Sequence, residues 1–224
     1  MHDAATTTLL RVALPKGRLL DQTLAWMAAR GLLREAPADP GRRLVLEAPG
    51  GTRLPGVSFA FLLLKNSDVP TYVEHGIADL GICGTDVLDE VDADVLRLST
   101  LPFGACRICL AGLENRVDEL SGRPDGIRVA TKYPRLAARY FESSAWDVEL
   151  IPLSGSIELA AVLGLADLIL DLVETGGTLA ANRLVVVEEV GRTAVRLVAN
   201  RALAARQALA VREVLGAVHA EEVP

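Results

Sequence analysis

Apolar positions fall in short runs separated by amphipathic stretches, and the two spacings predict strands and helices in turn. Residues 9–14 read as a strand that ends at the loop Pro15-Lys16-Gly17-Arg18. Leu20, Leu24 and Met27 then share one helical face, and Gly31 supplies the stop. Residues 43–46 and 57–64 read as strands, with the turn chemistry of Pro49-Gly50-Gly51-Thr52 between them. Ser67 is placed as a helix cap ahead of Asp68 and Pro70, in a helix running to His75 and stopping at Gly76. Residues 79–83 form the next strand, and Gly84-Thr85-Asp86 opens another helix. Strands are predicted at 95–98, 107–110, 127–130, 148–151 and 168–170, the last ending in Asp171. Helices are predicted at 134–141, after Ser154-Gly155-Ser156, and from Gly176-Gly177-Thr178. Strands near 184–187 and 194–198 follow, and Val211, Val214, Leu215 and Val218 mark a last amphipathic helix.

Strand–loop–helix units of this length imply an α/β fold with parallel sheet and right-handed crossovers. Ligands in such folds sit at the carboxyl ends of strands. That directs attention to the loops 15–18, 84–86, 131–133, 154–156 and 171–178. With no long linker in the chain, two lobes would be joined by strands that cross between them.

Composition narrows the function. Half of the residues are apolar and 23% are charged, the balance of a globular chain with a sizeable core. The net charge of −6, without a Lys/Arg cluster, argues against nucleic acid as a partner. The longest apolar run, Phe59-Ala60-Phe61-Leu62-Leu63-Leu64, suits a buried strand and is too short to span a membrane. The first eight residues lack the pattern of a secretory signal, so a cytoplasmic location is expected. Cys106 and Cys109 have C-x-x-C spacing, but on a strand positions i and i+3 face opposite sides, and His2, His75 and His219 are scattered. No metal held by protein ligands is expected.

The segment Leu168-Ile169-Leu170-Asp171-Leu172-Val173-Glu174-Thr175-Gly176-Gly177-Thr178-Leu179 joins a buried strand, two acids and a glycine-rich helix start. Glycines let backbone approach a phosphate, successive N–H groups stabilise a dianion, and nearby carboxylates hold sugar hydroxyls. Phosphate at one end and hydroxyls beside it describe a ribose 5-phosphate. Lys16 and Arg18 flank Gly17 in a loop suited to a polyphosphate. Taken singly, the first segment also reads as a capped glycine turn and the second as two solvated cations.

Taken together, five segments resemble the ATP phosphoribosyltransferase family. They are Leu14-Pro15-Lys16-Gly17-Arg18-Leu19, the stretch from Asp68 to Ile82, Ala130-Thr131-Lys132-Tyr133-Pro134, Gly155-Ser156-Ile157-Glu158-Leu159-Ala160, and Gly164-Leu165-Ala166-Asp167 through Asp171 to Leu179, in that order. The resemblance implies a two-lobed fold like the type II periplasmic binding proteins, with the active site in the cleft and no C-terminal regulatory domain. Lobe I would hold 1–103 with 189–224, and lobe II 104–188. The implied reaction joins 5-phosphoribosyl pyrophosphate (PRPP) to N1 of ATP, with Mg²⁺ carried by PRPP. Arg18, Asp171 and Glu174 would be catalytic. Thr175, Gly176, Gly177, Thr178, Leu179, Ser156, Glu158 and Arg42 would serve PRPP. Lys16, Gly17, Asp86, Cys106, Arg107, Thr131 and Tyr133 would serve ATP. Short members of the family assemble as homodimers into a hetero-oligomer with a regulatory subunit resembling histidyl-tRNA synthetase, so that partner is expected here. Two departures stand out: Ala161 follows Glu-Leu-Ala where the family often has Pro, and Leu170 before Asp171 breaks the paired acids of phosphoribosyltransferases of the other fold. The rival readings are a non-enzymatic binding module of the same fold, a transferase for another base, and an inactive scaffold.

Overall fold

The computed structural model describes residues 8–219 apart from 39, 121–124, 145 and 204. Along the chain the elements are β1 (Thr8–Pro15), α1 (Arg18–Ala29), β2 (Val45–Pro49), β3 (Val57–Leu64), α2 (Val69–Glu74), β4 (Leu80–Gly84), α3 (Thr85–Val91) and β5 (Leu96–Thr100). There follow β6 (Cys106–Leu113), α4 (Val117–Leu120), β7 (Ile127–Thr131), α5 (Pro134–Glu142), β8 (Val148–Pro152), α6 (Ile157–Val162), β9 (Leu168–Val173) and α7 (Gly177–Ala181). Last come β10 (Leu184–Thr193), β11 (Val195–Ala199) and α8 (Ala205–His219).

They form two compact units, Met1–Gly104 with Val195–Pro224, and Ala105–Ala194. Each is built around one sheet. The first has strand order β2-β3-β1-β4-β11-β5, and the second β10-β6-β9-β7-β8.

In the first unit, β1 pairs in parallel with β3 and β4, and β11 runs antiparallel between β4 and β5. The two-residue period of β1 sorts its side chains. Leu10, Val12 and Leu14 meet Leu20, Leu24 and Met27 of α1 and Val211, Val214 and Val218 of α8. Ala13 faces the other way, toward Val69 and Val73 of α2 and Leu88 of α3. Helix α2 lies so close to β4 that a Cβ at Gly81 would come within 2.6 Å of the Val73 side chain. Each fully buried Leu or Phe contributes about 1.5–3 kcal/mol.

In the second unit, β7 pairs in parallel with β8 and β9, while β6 runs antiparallel to both β9 and β10. Ile108, Leu110, Val129, Leu168 and Leu170 pack against Ala137 and Phe141 of α5. Cys109, Ala111, Ala130 and Ile169 pack against Ile157, Ala160 and Ala161 of α6 and Leu179 of α7.

Several expectations need correction. Both sheets are mixed rather than parallel, because β2 and β11 in the first and β6 in the second run antiparallel to their neighbours. Ser67 caps no helix. It lies in a 3-10 turn, Asn66–Asp68, and its hydroxyl donates to the Asp68 carboxylate at 2.9 Å. Strand β9 runs two residues past Asp171, and β10 extends to Thr193 through two register shifts. Periodicity had given no sign of α4, a single turn with one buried residue, Leu120.

Candidate active site

In the second unit the carboxyl ends of β7, β8 and β9 lie at one edge of the sheet. Because β6 is antiparallel, its start lies there too, with Arg107 opposite Val173 of β9 and Cys106 opposite Thr193 of β10. One edge therefore carries Cys106, Arg107, Thr131–Tyr133, Ser156, Glu158 and the segment from Asp171 to Leu179.

At that edge a pocket of about 200 Å³ is lined by Glu158, Ile169 and every residue from Asp171 to Leu179. Its glycine loop is shaped by Gly176, whose φ of +79° is a left-handed conformation and which stands just before α7. Gly177 differs. Its φ is not positive, and a Cβ there would meet only the Thr175 hydroxyl at 3.7 Å, an ordinary contact. The fold does not demand glycine at 177, whereas close approach of a ligand to the backbone would. Thr175 and Thr178 are exposed, and Leu179 anchors α7 in the core. Ser156 stands just before α6 at φ +51°, a conformation few non-glycine residues adopt.

Asp171 is held from two sides. Its Oδ1 accepts the Leu172 N–H at 2.8 Å, and its Oδ2 accepts the Lys132 ammonium at 3.2 Å. Burial pushes its carboxyl above the usual range, Lys132 and the Leu172 amide pull it back, and Glu158 adds to the rise. Glu174 and Glu158 bring two further carboxylates to the pocket.

The other candidates of this unit are placed unequally. Thr131 is fully buried, and its hydroxyl accepts the Tyr133 N–H at 2.9 Å. The Tyr133 ring packs in the core beside Ala137. Both side chains are therefore committed to building the loop. Arg107 is partly exposed and lies 3.8 Å from Glu189. Cys106, at the start of β6, is half-buried, and Cys109 is buried with its thiol pushed up by desolvation.

In the first unit, Lys16, Gly17 and Arg18 follow β1, and Asp86 lies in the first turn of α3 after β4. Strands β1 and β4 are parallel neighbours, so both loops sit at one end of the sheet. Arg42 joins them, since β2 starts at the end where β3 finishes and Leu63 donates its N–H to the Leu44 carbonyl at 2.8 Å. Lys16, Arg18 and Arg42 are exposed, whereas Asp86 is buried. Gly17 has φ +85° with nothing within 4 Å of a would-be Cβ, so its backbone conformation explains the glycine. Burial, with the Asp86 charge adding to it, pushes the Cys83 thiol up to about 12, too high for a nucleophile at neutral pH.

Lys132 had been given no role, although it stands between two candidates. Its partner lies 39 positions away, and only the β7–β9 pairing brings the two together.

Sheet order and the glycine loop define a class: a two-unit α/β protein of the binding-protein fold, with a glycine-loop pocket at one sheet edge. The alkanesulfonate-binding protein SsuA from Xanthomonas axonopodis pv. citri shares that fold, with a TM-score of 0.61 at 17% identity over 96% of this chain and 73% of that one. The family profile described as HisG, ATP phosphoribosyltransferase, matches residues 65–220, and the chain belongs to the ATP phosphoribosyltransferase family. An ATP phosphoribosyltransferase from Streptococcus gordonii is 45% identical over 193 residues, 86% of each chain. An ATP phosphoribosyl transferase (HisG:HisZ) complex from Thermotoga maritima superposes with a TM-score of 0.72 at 33% identity, covering 94% of this chain and 96% of that one. The family's reaction is the first step of histidine biosynthesis, and it is metal-dependent.

Proposed function

We propose that this chain transfers the 5-phosphoribosyl group of PRPP to N1 of ATP, giving N1-(5-phosphoribosyl)-ATP and pyrophosphate. The observation that carries the reading is the pocket of Asp171–Leu179, where carboxylates and an open glycine backbone adjoin, within a chain of this family. The N1 lone pair forms the new bond to the anomeric carbon, and the bond to pyrophosphate breaks with its electron pair leaving on oxygen. Adenine N1 is a weak nucleophile, so the ribose must develop oxocarbenium character. Positioning and charge stabilisation therefore supply the catalysis.

The backbone of Thr175–Leu179, with the two Thr hydroxyls, holds the 5-phosphate. Asp171 and Glu174 accept the ribose hydroxyls, and Ser156 and Glu158 line the same side. Lys16, Arg18 and Arg42 neutralise phosphate oxygens. Gly17, Asp86, Cys106 and Arg107 serve ATP, while Thr131 and Tyr133 act by shaping their loop. Among the described residues, no three His, Cys, Asp or Glu side chains are grouped as a metal ion requires. Mg²⁺ is read as part of the substrate: it would enter with PRPP and ease the departure of pyrophosphate. One solved relative is a HisG:HisZ complex, and this chain is assigned to a hetero-oligomer of that kind, read here as a homodimer joined to a regulatory subunit resembling histidyl-tRNA synthetase. Among the described residues no helix is long and apolar enough to cross a membrane; a cytoplasmic location is the reading that suits ATP and PRPP as substrates.

The test is ultraviolet absorbance of N1-alkylated adenine with ATP, PRPP, Mg²⁺ and a pyrophosphatase, with and without the regulatory subunit. A signal that needs both substrates and rises with the subunit is expected. Binding of PRPP without any signal in either arm would point to another acceptor base.

A further inference from the structure

The eleven residues lining the pocket include three carboxylates, those of Glu158, Asp171 and Glu174, and no Lys or Arg. A phosphorylated sugar entering that space meets negative charge. The cation hydrogen-bonded to one of these carboxylates is Lys132, which approaches Asp171 from the loop after β7.

That loop is fixed at both ends. Thr131 is sealed in the core with its hydroxyl accepting the next turn's amide, and Tyr133 is packed where α5 begins. Lys132 between them is the residue that faces outward, with its side chain 38% exposed against 13% for Asp171. Lys132 is open to solvent at its end of the pair, so the ion pair contributes little to stability. Its geometry is nonetheless specific: one carboxylate oxygen is tied to the Leu172 amide and the other to the ammonium, which fixes the rotamer. The groups facing Asp171 are Lys132 from the β7–α5 loop, Glu158 from α6 and, across the β6 ladder, the buried Cys109. Of these only Lys132 favours the ionised acid.

We propose that Lys132 is a positioning residue for the transfer: through its hydrogen bond it keeps Asp171 a charged, fixed acceptor for the ribose hydroxyls of PRPP. This rests on the transferase reading above. A carboxylate accepts hydrogen bonds at both oxygens, whereas a protonated acid offers fewer acceptor sites and a competing donor. Burial and Glu158 push Asp171 toward that protonated form, and Lys132 opposes them.

The experiment measures PRPP·Mg²⁺ binding by calorimetry from pH 5 to pH 9 for the full chain and for Lys132→Met, Lys132→Arg, Asp171→Asn and the Lys132→Met/Asp171→Asn double variant. Steady-state KM values for ATP and PRPP are taken on the assembled enzyme. Lys132→Met is expected to weaken PRPP binding about tenfold at pH 8, and by more as pH falls, because burial and Glu158 then raise the Asp171 carboxyl with no ammonium to oppose them. Lys132→Arg should recover most of the loss, and KM for ATP should stay within about twofold of wild type. In the Asp171→Asn background, Lys132→Met should add nothing. A loss of equal size in that background would show that Lys132 touches the ligand directly and would overturn the inference. So would a pH-independent loss that Lys132→Arg fails to restore. If the wild-type chain binds no PRPP, the transferase reading fails and this inference with it. If the wild type binds and Lys132→Met matches it at every pH, only the role of Lys132 fails.

Discussion

Asp171 shows what one residue gives up for its place in a site. Its carboxyl is buried, and its pKa is raised by that burial more than Lys132 and the Leu172 amide lower it. An acid with a raised folded-state pKa lowers stability as pH climbs from the ordinary carboxylate value through the folded one, and the full cost is present above the folded value. Asp171→Asn should therefore raise the thermal midpoint at pH 7, and the gain should shrink as pH falls toward the carboxylate range. PRPP turnover should drop about 10²–10³-fold in the same variant. Calorimetry across pH together with the absorbance assay checks both halves; a lowered midpoint at pH 7 would mean that the carboxylate supports the fold. The acid beside the glycine loop was legible in the sequence because strand, acid and glycines are contiguous. Lys132 was not, because nothing local marks a lysine whose partner lies on another strand. Thr131 and Tyr133 drew attention by their position, yet burial directs both side chains into packing.

At the scale of elements, the short apolar runs located the strands, but they set their ends and directions poorly. Strand β9 continues through Asp171 to Val173 because its β6 ladder goes on to Arg107. Pairing partners, absent from any local window, decided that length. The antiparallel return of β6 has a larger consequence, since it moves Cys106 and Arg107 to the same edge as the glycine loop. That loop offers a clean comparison. Gly176 needs its left-handed φ, so Gly176→Ala should cost about 1–2 kcal/mol of stability. Gly177 needs nothing that the fold supplies, so Gly177→Ala should leave the thermal midpoint unchanged or slightly raised. Its PRPP affinity should nevertheless fall about tenfold or more, because a methyl then stands where phosphate approaches the backbone. Unchanged affinity in Gly177→Ala would remove the loop from the phosphate site.

At the scale of the whole molecule, the two units hold one tryptophan each. Trp26 lies in the core of the first, under the Arg30 guanidinium at 4.6 Å, and Trp146 lies in the core of the second. Single-tryptophan variants therefore report each unit separately. In the second unit, away from the pocket edge, Arg128 grips Asp167 with two side-chain bonds of 3.1 and 2.9 Å and also donates to the Gly164 and Leu165 carbonyls. That hydrogen bonding holds the Asp167 carboxyl below its ordinary range. A depressed folded-state pKa adds stability above the unfolded value, which is lost as pH falls through the folded one. Asp167→Asn should lower the unfolding midpoint seen by Trp146 at pH 7, and the difference from wild type should vanish in acid below the carboxylate range. Fluorescence melts from pH 2 to pH 7 would show this; a difference that persists at the acid end would assign the loss to packing instead of charge.

By itself the sequence determined the α/β class, the strand positions, the glycine loop at the end of β9 and the family, because each of these is written in contiguous residues or in an ordered set of short segments. Tertiary structure alone decided strand direction, the mixed sheets, the burial of Thr131 and Tyr133, and the bond from Lys132 to Asp171. Each of those depends on which strands pair and in what register, a choice made by burying apolar faces across long separations in the chain.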